Sequence, residues 1–201
     1  MKILCLKSSI LNDFSTSNLL INELIDHLKA NNKDVSVIER ELGINPPAHL
    51  TLDVLTAIRT HDISKLTDKQ KNNYDEILTS IEQLKSADLV IIGSPMHNLS
   101  ISSGLKTWID QICQAGLTFS YTEQGPKGLV DDKPVIIVSS RGGIYSTPPL
   151  DVLDHQEPYL KAIFGLIGIT NIKYIRAEGT NISEELKDKA IAQAKYEISL
   201  L

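Results

Sequence analysis

The sequence predicts an α/β fold: one doubly wound sheet of five parallel strands, ordered 2-1-3-4-5, with helices on both faces. Three observations predict it. Strand-like and helix-like segments alternate along all 201 residues, an order that calls for parallel strands joined by right-handed helical crossovers. Leu89-Val90-Ile91-Ile92 and Pro134-Val135-Ile136-Ile137-Val138 are unbroken apolar runs, as expected of strands buried on both faces. Polar loops rich in hydroxyls or glycine follow three of the strands, at the edge where open α/β sheets bind ligands.

Residues 3–7 (Ile-Leu-Cys-Leu-Lys) read as the first strand, and Ile21, Leu24, Ile25 and Leu28 then recur at i, i+3, i+4 and i+7 for a first helix. Strand then helix opens a βαβ unit. Val35-Ser36-Val37-Ile38-Glu39-Arg40 alternates as a second strand, and 89–92 forms the third. Residues 133–140 supply the fourth strand and 171–177, with Ile172, Tyr174 and Ile175, the fifth. Helical patterns lie near 69–86, 103–115 and 156–167, and another at 183–199 carries Glu184, Glu185, Lys187 and Lys189 on a charged face. The segment 41–67 exceeds a normal strand-to-helix connection. A short helix is expected around Asp53–Arg59, in a segment that is either a plain surface excursion or a flap or dimer contact. The chain reads as one domain, residues 1–201, with that excursion and without internal repeats.

Composition narrows the partners. A net charge of −5, from 20 basic and 25 acidic residues without a basic block, argues against nucleic acid or an anionic membrane and for a small molecule. The apolar run at the N-terminus is too short for a signal peptide, and no run approaches membrane-spanning length. Cys5 and Cys113 stand far apart with no CxxC spacing, which suits two buried thiols in a reducing cytoplasm.

Three loops converge on one candidate ligand. After the first strand, Ser8 to Asn18 offers five hydroxyls and runs into a helix without a Lys or Arg. Hydroxyls and free N–H groups at a helix N-terminus suit a phosphate. Neither GxxxxGK[ST] nor GxGxxG follows this strand, so a terminal monophosphate held by neutral donors fits better than a P-loop nucleotide or a standard dinucleotide. Helix capping alone explains one such hydroxyl, but less readily the run Ser15-Thr16-Ser17 with Ser9 upstream. The third strand ends in Ser94-Pro95-Met96-His97-Asn98, a rigid proline followed by polar residues. The fourth ends in Ser139-Ser140-Arg141-Gly142-Gly143, where paired glycines permit a turn and let backbone approach a flat heterocycle. In the order 2-1-3-4-5 the three loops meet at the switch point, where this topology places FMN.

The chain resembles the FMN-dependent NADH azoreductases, a branch of the flavodoxin-like quinone reductases. The resemblance rests on Leu6-Lys7-Ser8-Ser9-Ile10-Leu11 with Ser15-Thr16-Ser17-Asn18, on Pro95-Met96-His97-Asn98, on Thr118-Phe119-Ser120-Tyr121-Thr122-Glu123 with Gly125-Pro126, on Ser139 to Gly143, and on Phe164-Gly165-Leu166-Ile167-Gly168-Ile169. It implies that Ser9, Ser15, Thr16 and Ser17 hold the FMN phosphate. Met96, His97, Asn98, Leu99, Ser140, Arg141, Gly142 and Gly143 would frame the isoalloxazine. It also implies a homodimer, with one FMN per subunit, in which Tyr121 and Phe164 of one subunit approach the flavin of the other. Standing alone, Tyr121 would be a packed aromatic and Phe164 a core residue. The chain departs from the family pattern at His97 and Leu99, where aromatic residues are usual, and at Tyr145 in place of a His. A lone His97 does not by itself indicate a general acid.

The activity implied is ping-pong reduction of quinones and azo compounds, with NADH or NADPH as hydride donor and no side-chain nucleophile or metal. An electron carrier of the flavodoxin type, or a partner-binding domain with a structural flavin, is the alternative.

Overall fold

Successive residues along the central strands face opposite ways, and each set has a core of its own. Ile3, Cys5, Leu89, Ile91, Ile136 and Val138 fall in one apolar cluster, while Leu4, Leu6, Val90, Ile92, Val135 and Ile137 fall in another. That is the period of two expected of strands buried on both faces. In the computed structural model, which describes residues 1–201, the strands are β1 (Lys2–Lys7), β2 (Ser36–Glu41), β3 (Leu89–Pro95), β4 (Phe119–Thr122), β5 (Gly125–Gly128), β6 (Val135–Ser140) and β7 (Ile172–Ala177). The main sheet is five-stranded and parallel, in the order β2-β1-β3-β6-β7. Counting only its own members, this is the 2-1-3-4-5 arrangement expected. The antiparallel pair β4–β5 stands apart as a small hairpin.

The helices are α1 (Thr16–Asn31), α2 (Leu52–Thr60), α3 (Asp68–Ser86), α4 (Ser103–Ile112), α5 (Glu157–Ile167) and α6 (Glu184–Ser199). Leu20, Ile21, Leu24 and Ile25 of α1 and Ala194 and Ile198 of α6 share the first cluster; α2, α3, α4 and α5 supply the second. Local chemistry sets where they begin. Ser15, Thr51, Ser102 and Ser183 each accept a hydrogen bond from a first-turn N–H, and Thr67 with Gln70 forms a reciprocal capping box. Asp154 Oδ1 accepts from the N–H groups of Gln156 and Glu157 at the head of α5. That helix ends on Gly168 at φ +107, a backbone conformation that glycine adopts without Cβ strain.

The segment 41–67 is tied to the core. Leu42, Val54 and Ile58 belong to the larger cluster. The buried Gln111 of α4 donates to Ala48 O at 2.8 Å and to Asn73 Oδ1 at 3.1 Å. Gly43 lies so close to the loop after β1 that a Cβ there would stand 2.0 Å from Ser9 O. No residue of 42–66 lines the cleft described below. The hairpin β4–β5 was not expected as strand, because Gly125, Pro126 and Gly128 have low β-propensity.

Candidate active site

The carboxyl ends of β1, β3 and β6 deliver three loops to one cleft of about 200 Å³. From the first loop come Ser9, Leu11, Phe14, Ser15 and Thr16; from the second Pro95, Met96 and His97; from the third Ser140, Arg141 and Gly142. Sequence reasoning therefore brought the right loops together. It missed a fourth wall, made of Thr180 and Asn181 from the connection between β7 and α6 and Lys187 from α6 itself. Backbone bonds Gly179 N to Gly143 O, Thr180 N to Arg141 O and Asn181 N to Gly142 O hold that wall against the glycine loop. A Cβ on Gly142 would approach Asn181 Nδ2 to 2.8 Å, so the missing side chain is what lets the two loops meet.

The first loop is a cradle of donors. Ser15 Oγ accepts from Asn18 N at 3.2 Å and lies 3.0 Å from Ser17 Oγ. Ser9 Oγ accepts from Leu11 N at 3.2 Å. All three hydroxyls are buried. The N–H groups of Thr16 and Ser17 open α1 without a carbonyl partner in the chain, leaving two donors and the positive end of the helix dipole at one point. Upstream, Ser8 Oγ donates to Gly93 O at 2.7 Å and fixes this loop to β3.

The second loop is a two-residue turn. His97 N donates to Ser100 O at 2.8 Å and Ser100 N to His97 O at 3.0 Å, with Asn98 and Leu99 at φ +47 and +70 between them. Two successive positive φ values are those of a hairpin turn that favours Asn then Gly. Leu at the second position costs about 1 kcal/mol. The turn is held from outside: His155 N donates to Leu99 O, and Met96 N to Ser140 O. His97 also lines a second hollow of about 560 Å³ with Asn98, Ser100, Ile101, Ser103, Lys106 and Tyr159. Burial pushes the Tyr159 phenol up to about 12, which keeps it a neutral donor there. Ser17, Leu99 and Gly143 do not line the cleft, Ser17 being fully buried behind Ser15.

Two side chains named from the sequence turn into the interior. Arg141 does not present its guanidinium to the cleft. Its side chain is fully buried, with Nη2 2.6 Å from Glu157 Oε1 and 3.0 Å from Asp154 Oδ2, and Nη1 3.2 Å from Glu178 Oε1. Only its backbone borders the ligand space, because a buried cation goes where its counter-charges are. Phe164 is 1 % exposed and sits in the larger core, the place the residue suggested when taken alone. Tyr121, by contrast, is 78 % exposed at the β4–β5 hairpin, edge-on to Phe119, and borders neither hollow.

Beneath the cleft runs a polar seam that the sequence did not advertise. The buried Gln156 accepts from Ser139 Oγ (2.9 Å) and Arg141 Nε (3.1 Å), and its Nε2 donates to Ser94 O (2.8 Å). It ties the ends of β3 and β6 to α5, setting the spacing between the second and third loops. Burial pushes both thiols, Cys5 and Cys113, up to about 12, so neither offers a thiolate near neutrality.

A doubly wound parallel sheet whose switch-point cleft pairs buried hydroxyls and a helix N-terminus with a glycine loop defines a flavodoxin-type ligand-binding protein. The comparisons agree. The family model described as flavodoxin-like fold matches residues 1–200. The FMN-dependent NADH:quinone oxidoreductase of Alcanivorax borkumensis is 40 % identical over 198 residues, covering 98 % of each chain. FMN-dependent NADH:quinone oxidoreductase 1 of Idiomarina loihiensis is 40 % identical over 201 residues, covering 100 % of each. Among solved structures, the azoreductase of Bacillus anthracis strain Sterne superposes with TM-score 0.85 at 26 % identity over 100 % of both chains. The FMN-dependent NADH-azoreductase of Bacillus anthracis strain Ames Ancestor, in complex with FMN, gives 0.87 at 25 %, over 100 % of this chain and 99 % of that one. The chain belongs to the flavodoxin-like family of FMN-dependent NADH:quinone oxidoreductases.

Proposed function

We propose that this chain is an FMN-dependent oxidoreductase that uses NADH, or NADPH, to reduce quinones and azo compounds. The observation that carries the reading is the hydroxyl-and-amide cradle at the head of α1, opening into the same cleft as the Pro95–His97 and Ser140–Gly142 loops. The residues present fit FMN. Ser9, Ser15 and Ser17, with the free N–H groups of Thr16 and Ser17, match a terminal phosphate. Met96, His97, Ser140 and Gly142 offer a wall for the ring, with Asn98, Leu99 and Gly143 beyond it. Relatives named for FMN, NADH and quinone or azo reduction support the same cofactor and substrates.

When bound, FMN supplies a centre that accepts and returns a hydride. The chain would hold the cofactor by its phosphate at Ser9, Ser15 and the head of α1, and would seat the ring against Met96, His97 and Gly142. The hollow that adjoins at His97 gives a planar molecule room to stack, so donor and acceptor take the same place in turn, as a ping-pong reaction requires. The whole chain serves as one FMN-binding domain. We place it in the cytoplasm, which its free cysteines suit, as a homodimer with one FMN per subunit. Purified protein is expected to be yellow. It should bleach on anaerobic addition of NADH and regain colour with a quinone. A colourless protein that takes up no FMN would sink the reading, and reduction only through a partner reductase would favour an electron carrier.

A further inference from the structure

Two cationic residues line the cleft, Arg141 and Lys187, and the second comes from the helix whose charged face the sequence marked. Arg141 is committed to Asp154, Glu157 and Glu178. Lys187, in the first turn of α6, lines the cleft with Thr180 and Asn181. Its height relative to α1 follows from an ion pair further along. Both helices follow parallel strands and so descend from the same sheet edge, and Lys195 Nζ meets Glu23 Oε2 at 2.8 Å. Both rise equally per residue. Stepping back from Lys195 to Lys187, and by the same number of residues from Glu23 to Ser15, brings Lys187 level with the hydroxyl cradle rather than with the ring-side loops.

The position is electrostatically odd for a lysine. A cation in the first turn of α6 stands at the positive end of its own helix, beside the positive end of α1. The chain offers it one loose counter-ion, Glu184 Oε2 at 3.6 Å, on a side chain 85 % exposed. Glu185 is taken by Lys189 at 2.7 Å. The N-terminus of α1 and an ammonium group lining one cleft with buried hydroxyls call for an anion from outside the chain.

We infer that Lys187 is a phosphate-specific residue of the cofactor site, giving the terminal phosphate of FMN a charged partner that the neutral loop after β1 lacks. This rests on the FMN reading above. A half-exposed lysine turns away from Glu184 to the phosphate when cofactor enters, and distinguishes FMN from riboflavin, which has no phosphate.

The test is a titration of flavin-free full-length protein with FMN and with riboflavin, followed by flavin fluorescence at low and high salt. Lys187→Ala and Lys187→Gln should weaken FMN about three- to tenfold. They should leave riboflavin affinity unchanged and flatten the salt dependence of FMN binding, and Lys187→Arg should restore most of the loss. Unchanged FMN affinity in Lys187→Ala, or equal losses for FMN and riboflavin, would overturn the assignment while leaving the flavin site intact. Failure of the wild-type chain to bind either flavin would remove the reading beneath it as well.

Discussion

Arg141 shows how a single side chain supports a binding loop without touching ligand space. Its guanidinium is enclosed by Asp154, Glu157 and Glu178, and Glu178 Oε1 also accepts from Tyr145 N at 2.9 Å, so the loop from 141 to 145 is pinned at both ends. Arg141→Met would leave Asp154 and Glu178 without a cation and Glu157 with Arg176 alone. Urea unfolding should show a loss of about 3–5 kcal/mol, and a loss under 1 kcal/mol would mean the cluster is not held as drawn. The cradle hydroxyls separate in a different way. Ser15 caps α1 and faces the cleft, so Ser15→Ala should weaken FMN binding and also lower the stability of the flavin-free chain by about 1 kcal/mol. Ser17 is no cap. Ser17→Ala should weaken FMN by about tenfold or more, the worth of one hydrogen bond to a charged group, with the smaller change in flavin-free stability. FMN titration with thermal unfolding of both variants checks this, and unchanged affinity in both would refute the phosphate assignment.

Among the elements, those with strong periodicity were the legible ones. Ile21, Leu24 and Ile25 are buried in α1, and the apolar runs became β3 and β6, buried at nearly every position. What stayed hidden depends on contacts between elements. Nothing local to Lys187 says that α6 lies beside α1, and nothing in Gln156 says that it spans two strand ends. Arg141 follows Ser139 by two residues and shares its side of the strand, which is the only local sign that it turns inward. Asp132 is another such link. Its Oδ1 accepts from Thr170 N (2.8 Å) and Asn171 N (3.1 Å), and its Oδ2 from Thr170 Oγ1 (2.7 Å), joining the approach to β6 to the start of β7. The hydrogen bonds from Thr170 and Asn171 hold its carboxyl below the usual range. A carboxylate depressed in the folded state stabilises above its unfolded pKa and loses that contribution as pH falls through the folded value. The melting-temperature gap between wild type and Asp132→Ala should be widest at pH 6 and narrow below about pH 4. A constant gap would show that the charge is immaterial.

At the scale of the molecule, several large apolar or aromatic side chains stand well out in solvent. Phe14, at 91 % exposed, lines the cleft, Tyr121 stands out on its hairpin, and Val152 is 73 % exposed on the segment leading to His155, whose N–H holds the Leu99 turn. The homodimer proposed above would cover such side chains, and it would give Tyr121 a role that one subunit alone does not, since the residue borders neither hollow of its own chain. Light scattering should return about twice the 22.2 kDa of one chain. If, as proposed, the cradle lies in one subunit and the aromatic comes from the other, Tyr121→Ala should load FMN normally yet lose several-fold in kcat/KM for quinones. A monomeric mass with full activity would remove the dimer. A dimer in which Tyr121→Ala turns over as wild type would keep the assembly but place its interface away from the flavin, and Phe14 and Val152 would then be the side chains left to explain.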